Sequence, residues 1–228
     1  MKNKKVIFEH LGIVAYKQAW DYQEQVFKGV VEQKMANRHL ENPLPTSNYL
    51  LFCQHPPVYT LGKTGKTEHL LLSQEQLENK HIDYFEINRG GDITFHGLGQ
   101  IVVYPILDLD NFFTDIHLYL RLLEEAVIQT LAEYNIQATR IDKLTGVWIE
   151  NRKICAMGVK ASRWVTMHGI ALNVNTDLSF FENIIPCGIA DKAVTSLSKE
   201  LGKNIAIEEV EKILLTKISN LFEMEIIF

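Results

Sequence analysis

The segment Arg89-Gly90-Gly91-Asp92-Ile93-Thr94-Phe95-His96-Gly97-Leu98-Gly99-Gln100 holds four glycines in twelve residues and runs straight into an apolar stretch, Ile101–Leu107. Glycine accepts φ > 0 and lets the backbone approach a ligand or a neighbouring strand closely. The apolar stretch reads as a buried strand. Pro105 lacks an N–H, which predicts a sheet edge or a bulge at that point. The segment is not a phosphate-binding P-loop, because no Gly-Lys-Ser/Thr follows at the required spacing. Nor is it a dinucleotide fingerprint, because a strand rather than a helix comes after it. Two readings fit its pattern equally. One is a glycine-rich hairpin with a surface arginine. The other is a ligand loop in which Arg89 pairs with a carboxylate or phosphate and His96 donates to a carbonyl or transfers a proton.

Around this segment the pattern mixes strands and helices. Val6–Glu9 reads as a strand, and Ile13, Tyr16, Trp20, Phe27, Val30 and Val31 have helical spacing through about Asn37. Asn42–Asn48 is a loop by its Pro and Asn content, and Tyr49–Cys53 is a buried strand stopped by Pro56-Pro57. Asn111–Asn135 carries Ile116, Leu120, Leu123, Val127, Leu131 and Tyr134, which predicts an amphipathic helix. Gly146–Ile149, Lys153–Lys160 and Trp164–Val174 form a meander. A last helix, with Ile207, Val210, Ile213, Leu214 and Leu221 on one face, precedes an apolar tail; an appendage is one option for it, and integration into one domain is the better reading. Strict βαβ alternation is absent, so the expected class is α+β, a mixed sheet flanked by helices. No Pro/Gly/Ser-rich linker divides the chain, which predicts a single domain over residues 1–228.

Composition narrows the function classes. The 228 residues carry 23 basic and 28 acidic side chains, a net charge of −5, which argues against bulk electrostatic binding to nucleic acid or an anionic membrane. A chain of this size buries roughly 70% of its unfolded surface and needs neither disulfides nor metal to fold. The basic start Met1–Lys5 leads into Val6–Gly12, which contains Glu9 and His10 rather than an apolar signal core. No apolar run reaches about 18 residues. The three cysteines, Cys53, Cys155 and Cys187, suit no disulfide framework, so the expectation is a cytoplasmic protein.

Among the three, Cys53 lies within Leu50-Leu51-Phe52 and reads as packing. Cys187 sits in Pro186-Cys187-Gly188-Ile189, a constrained turn that presents a thiol. Cys155 is its rival: in a strand starting at Lys153, residues 153, 155 and 157 share a face, yet its neighbours Ile154 and Ala156 suit a packed strand. Reactive thiols need access and a thiolate-stabilising environment, which favours Cys187. Lys153 opens an otherwise apolar strand. It is either a desolvated general base or a solvent-facing residue after a hairpin turn. No His/Cys group has metal-ligand spacing, and no Gly-x-Ser-x-Gly nucleophile elbow occurs.

Taken together, these segments resemble the lipoyl(octanoyl) transferases. The matching stretches are Tyr16–Trp20, His55-Pro56-Pro57-Val58-Tyr59-Thr60-Leu61-Gly62, Arg89–His96, Gly146-Val147-Trp148, Arg152-Lys153-Ile154, His168–Val174 and Pro186–Ile189, in family order from about residue 10 to 200. One departure is Leu98, where the family's His-Gly-Pro-Gly-Gln has proline. The resemblance implies a fold like the catalytic domain of biotin and lipoate protein ligases. It implies octanoyl (or lipoyl) transfer from octanoyl-acyl carrier protein through a thioester on Cys187, with Lys153 as acid/base partner. Implied substrate-binding positions are Arg89, Gly90, Gly91, Asp92, Ile93, Thr94, Phe95 and His96, then Ala156, Met157 and Gly158, and Gly169, Ile170 and Ala171. No cofactor or metal is implied. The implied acceptors are lipoyl domains of 2-oxoacid dehydrogenase E2 subunits and the glycine cleavage H protein. Two alternatives are an ATP-dependent lipoate- or biotin-protein ligase of the same fold and a non-catalytic carrier-binding module.

Overall fold

A computed structural model of the chain describes residues 2–185 and 193–228. Its strands are β1 (Lys5–Ile13), β2 (Tyr49–Gln54), β3 (Val58–Leu61), β4 (Asp83–Glu86), β5 (Ile93–His96), β6 (Gln100–Ile106), β7 (Thr139–Ile141), β8 (Leu144–Ile149), β9 (Arg152–Ser162), β10 (Val165–Asn173) and β11 (Glu225–Ile227). The helices are α1 (Tyr16–Ala36), α2 (Gln74–Asn79), α3 (Ile116–Ala132), α4 (Leu197–Leu201) and α5 (Ile207–Phe222). Eight strands form one mixed sheet in the order β11-β1-β2-β6-β10-β9-β8-β7. A smaller sheet has the order β4-β3-β5. The expected α+β class, a mixed sheet between helices, is what the chain forms.

The centre of the large sheet follows from sequence. β2, β6 and β10 are apolar at nearly every position, and successive residues must point to opposite faces. Leu50, Phe52, Ile101, Val103, Ile170 and Leu172 pack on the face covered by α3 and α5. Leu51, Cys53, Val102, Tyr104, Ile106 and Ala171 pack on the face covered by Ala19, Phe27 and Val30 of α1. Pro105 is not at an edge, since β6 lies between β2 and β10. It is tolerated because the β6–β10 ladder spans only Gln100–Val103 against Ile170–Asn173. Opposite Pro105, β10 is kinked at His168, whose φ is 60°.

Two expectations shift and one option is closed. The first strand runs on to Ile13, with a register break after His10 and Gly12 at φ 66°. The helix expected from Asn111 starts at Ile116, because Asp115 caps it by accepting from the Leu118 amide at 2.9 Å. The final helix is no appendage. Val210, Leu214, Ile218 and Phe222 join the main core, each contributing on the order of 2 kcal/mol. The apolar tail after it becomes β11, parallel to β1.

The small sheet was not foreseen. β3 pairs in parallel with β4 and antiparallel with β5, so the middle of the glycine-rich segment is itself a strand. Its apolar side, with Tyr59, Leu61, Ile93 and Phe95, packs on Leu77 of α2, which a Ser73–Gln76 capping box starts.

Candidate active site

A cavity of about 340 Å³ lies where the small sheet meets β6, β8, β9 and β10. Arg89, Gly90, Gly91, Asp92, Ile93, Thr94 and His96 line it from one side. Lys153, Ala156, Met157, Gly158, Gly169, Ile170 and Ala171 line it from the other. Segments far apart in sequence therefore meet at one place. Phe95 is the exception. It turns away and stacks on Phe180, ring centroids 4.5 Å apart, inside the small-sheet core. Cys187, with Pro186, Gly188 and Ile189, lies outside the described residues.

Of the two readings of Arg89, the surface one fails. Only 8% of the residue is exposed. One guanidinium nitrogen donates to the Thr60 carbonyl at 2.8 Å and to Thr60 Oγ1 at 2.9 Å, and the other to the Gly90 carbonyl at 3.0 Å. Gly158 makes room for this arrangement. A Cβ there would fall 2.8 Å from both the Gly90 oxygen and Arg89 Cδ. The Gly90 amide donates to the Val159 carbonyl at 2.9 Å, tying the glycine segment to β9.

His96 is held neutral. Burial, with His55 nearby, pushes its pKa down to about 3. Its Nδ1 donates to Gln100 Oε1 at 2.8 Å, and Gln100 Nε2 donates to Asn173 Oδ1 at 2.9 Å and to the Phe95 carbonyl at 3.1 Å. Nε2 is thereby left as an acceptor, 3.5 Å from Thr60 Oγ1. The proton-donor reading of His96 is thus spent on Gln100.

Several lining residues were not singled out from sequence. Tyr16, Tyr104 and His168 all reach the cavity. His55 lies behind Tyr104, accepting from its hydroxyl at 2.7 Å while donating to the Val14 carbonyl at 2.7 Å. Burial pushes His55 down to about 4 and His168 to about 3. Asp92 pairs with His69 (Nδ1 to Oδ2, 2.6 Å). Tyr16 and His55 fall inside motif stretches, which was the available signal. For His69 there was none.

Cys155 does lie near Lys153, whose charge acts on it, but it sits outside the cavity. The β8–β9 register shifts between the pairs Val147–Cys155 and Trp148–Lys153, which interrupts the two-residue alternation. Ile154 and Cys155 are both fully buried, and Cys155 is not among the cavity's lining residues. Burial pushes the thiols of Cys155 and Cys53 well above the usual range, which disfavours the thiolate in both.

Lys153 is fixed by its own backbone. Its amide donates to the Ala193 carbonyl and its carbonyl accepts from the Thr195 amide, both at 2.9 Å. On the other side of the cavity, the Ile185 amide donates to the His69 carbonyl at 2.9 Å. The residues that flank 186–192 are thus each held by a main-chain hydrogen bond, Ile185 to His69 and Ala193 to Lys153. No group of three His, Cys, Asp or Glu suited to a metal occurs among the described residues.

Residues 15–219 match the family described as the lipoyl protein ligase A/B catalytic domain. The chain belongs to this family. Curated relatives of this lipoyl ligase-type domain include an octanoyltransferase of Cytophaga hutchinsonii, 60% identical over 98% of this chain and 95% of that one. Another, of Flavobacterium johnsoniae, is 58% identical over 99% of this chain and all of that one, 100%. The fold is shared with a bipartite lipoate protein ligase from Thermoplasma acidophilum (TM-score 0.68, 16% identity, 100% of this chain and 88% of that one). Biotin protein ligase from Aquifex aeolicus is more distant (TM-score 0.51, 15% identity, 96% and 70% covered).

Proposed function

We propose that the chain is an octanoyltransferase, an acyltransferase that moves an octanoyl group onto a lysine of lipoyl domains in protein lipoylation. Near-full-length relatives at about 60% identity carry that name. The observation that carries the chemistry is the pairing of Lys153 with Ala193 and Thr195 at the cavity wall. Ala193 lies six residues after Cys187 in the chain. Lys153 thus lines the cavity and pairs with residues that follow the proposed nucleophile in the chain, and the whole of 1–228 is read as one domain.

The resting pair is a Cys187 thiolate and a Lys153 ammonium, each stabilising the charge of the other. The thiolate attacks the carbonyl carbon of an octanoyl thioester on acyl carrier protein. A new C–S bond forms, the donor's C–S bond breaks, and the departing thiolate takes a proton from Lys153. The neutral acceptor amine then attacks the acyl-enzyme. The C–N bond forms, the C–S bond to Cys187 breaks, and neutral Lys153 takes the amine proton. One thioester exchanges for another and then falls to an amide, so no nucleotide is required. Met157 and Ile170 give the cavity apolar surface for the alkyl chain.

The acceptors are lipoyl domains of 2-oxoacid dehydrogenase E2 subunits and the glycine cleavage H protein, in the reducing cytoplasm that a thiolate needs. No helix among the described residues is long and apolar enough to cross a membrane. An acidic carrier approaching a chain of net charge −5 needs a local basic surface. Lys63 and Lys66 supply one. They are exposed on a loop whose Lys63 amide donates to the Arg89 carbonyl at 3.0 Å, beside the cavity.

Incubation with octanoyl-acyl carrier protein, without ATP, followed by intact mass measurement, tests the reading. The expected result is an octanoyl adduct that is lost in Cys187→Ser and kept in Cys155→Ser. Acylation of a lipoyl domain only with free acid and ATP would make the chain a ligase. No transfer under either condition would leave a binding module.

A further inference from the structure

The register of the large sheet sets out the floor of the cavity in rows. β6, β10 and β9 lie side by side. Gln100 pairs with Asn173, Val102 with Ala171, Ala171 with Ala156, and Gly169 with Gly158. Residues two apart on a strand share a face, so these pairs form three successive rows on one side of the sheet. All of them line the cavity. The first row is polar and is tied to Lys153. Asn173 Nδ2 donates to the Thr195 carbonyl at 3.0 Å, and the Thr195 amide donates to the Lys153 carbonyl at 2.9 Å. The second row, Val102–Ala171–Ala156, is apolar and carries only short side chains. The third has no side chain at Gly169 or Gly158, and the space over Gly158 is taken. A Cβ there would fall 2.8 Å from Arg89 Cδ and from the Gly90 oxygen.

The two ends of the cavity differ in access. On the β8 side, next to Lys153, the lining includes Thr145, which is exposed, and Leu144, which is half-buried. At the other end Val102, Tyr104, Tyr16 and His168 are at most 3% exposed. We propose that Val102 sets the longest acyl chain the enzyme accepts, by narrowing the cavity between the polar row and the closed end. The inference rests on the transferase reading given above, in which the thioester forms beside Lys153 and the alkyl tail runs inward. Successive rows are about 7 Å apart. An extended octanoyl chain, with C–C bonds of about 1.5 Å in zigzag, reaches roughly 9 Å from carbonyl to methyl. With its carbonyl at the Asn173 row, the chain passes over Val102 and ends just beyond it. A longer chain drives its methyl into the space that Arg89 and Gly90 hold over Gly158.

Val102 is the place in this floor where volume can be exchanged for chain length. Ala171 and Ala156 let a chain pass because their side chains stop at Cβ, and Val102 is the largest of the three. Tyr104, next on the same face of β6, is held by its hydrogen bond to His55, so changing it breaks a buried polar contact. Changing Val102 breaks none. A pocket that selects by shape is sensitive at this scale, since one methylene more or less changes a rate by roughly 10–200-fold.

The test is a competition. Hexanoyl-, octanoyl- and decanoyl-acyl carrier protein are mixed in equal amounts with the enzyme, without ATP. The ratio of acyl adducts in a quenched intact mass spectrum reads their relative kcat/KM. Val102→Ala should raise the decanoyl share against octanoyl about tenfold. Val102→Ile adds a methylene and should act in the opposite sense, raising the hexanoyl share by a similar factor. A role in packing alone lowers all three adducts together and leaves their ratios at the wild-type values, and that result would overturn the inference. Should Val102→Ala fail to fold, Val102→Ile keeps the β-branched shape and decides alone. A raised hexanoyl share supports the inference and an unmoved ratio overturns it. The wild type separates the two claims. No adduct of any chain sinks the transferase reading and this inference with it, whereas adducts whose ratios the variants leave unmoved sink only the role of Val102.

Discussion

The two walls of the cavity are built on different physical principles. On the glycine-segment wall, charge is buried and tied down. Arg89 is spent on Thr60 and Gly90, Asp92 on His69, and His96 is kept neutral by burial and by Gln100. On the β8–β9 wall, the backbone is the fixed part. Lys153 is hooked at its amide and carbonyl to Ala193 and Thr195, while its ammonium rests on the face of the Trp148 ring. A wall of the first kind holds shape, because every polar group already has a partner and moving one orphans another. A wall of the second kind is held by main-chain hydrogen bonds, so replacing its side chain does not dismantle the fold. Under the proposed function, one side serves as template and the other carries the chemistry.

The sharpest way to break that division is to cut each wall once. Lys153→Met should lower acyl transfer by about 10²–10⁴-fold and leave the melting temperature nearly unchanged. Arg89→Met should do the reverse in kind. It orphans the Thr60 carbonyl inside the structure and costs on the order of 2–4 kcal/mol, seen as a Tm lowered by several degrees. Activity measured on the fraction still folded should fall less than in the lysine variant. If Lys153→Met melts early while Arg89→Met does not, the two walls are not divided in this way.

Acid should act next on the buried histidines around the cavity. The native rings of His55, His96 and His168 titrate at about 4, about 3 and about 3, against an ordinary value of 6.5. Above pH 6.5 both native and unfolded rings are neutral, and the full stability is present. Between pH 6.5 and 4 the unfolded chain binds protons that the native chain refuses, so stability falls with pH by roughly 1 kcal/mol per unit for each ring. Denaturant midpoints at pH 7.5 and 5.0 measure this, and a flat profile would show that the rings are less secluded than their contacts indicate. The smallest effect is expected outside both walls. Lys63→Glu with Lys66→Glu should slow acylation by the carrier protein several-fold at low salt and less at high salt. An unchanged rate would remove that loop from carrier docking.

Legibility in the sequence follows the same split. β2, β6 and β10 could be read because both of their faces are covered, which leaves near-continuous apolar runs. β3, β4 and β5 could not. Each has four residues, and Pro56-Pro57, Gly62 and Gly90-Gly91 around them read as loop. The start of α3 lies later than expected because Asn111 belongs to a short 3-10 turn capped by Asp108, and Asp115 caps the helix itself. At the site, the order of motifs located most of the cavity lining. The Trp148–Lys153 contact was not legible, since it depends on a register shift that periodicity does not display. The His69–Asp92 pair joins residues 23 apart across two loops, and no local pattern announces it.

β11 has a consequence for how the protein behaves in a crowd. It is a three-residue strand, yet it lies along Lys5–Ile7 on the outer side of the nine-residue β1, and Phe228 sets its ring 5.6 Å from that of Phe8. Without it, one margin of an eight-stranded sheet would offer a row of unsatisfied amides and carbonyls to any extended peptide, including another copy of the same chain. The last residues of the sequence serve as a selvedge: they add little to the core, and they keep the fabric from being knitted onto its neighbour.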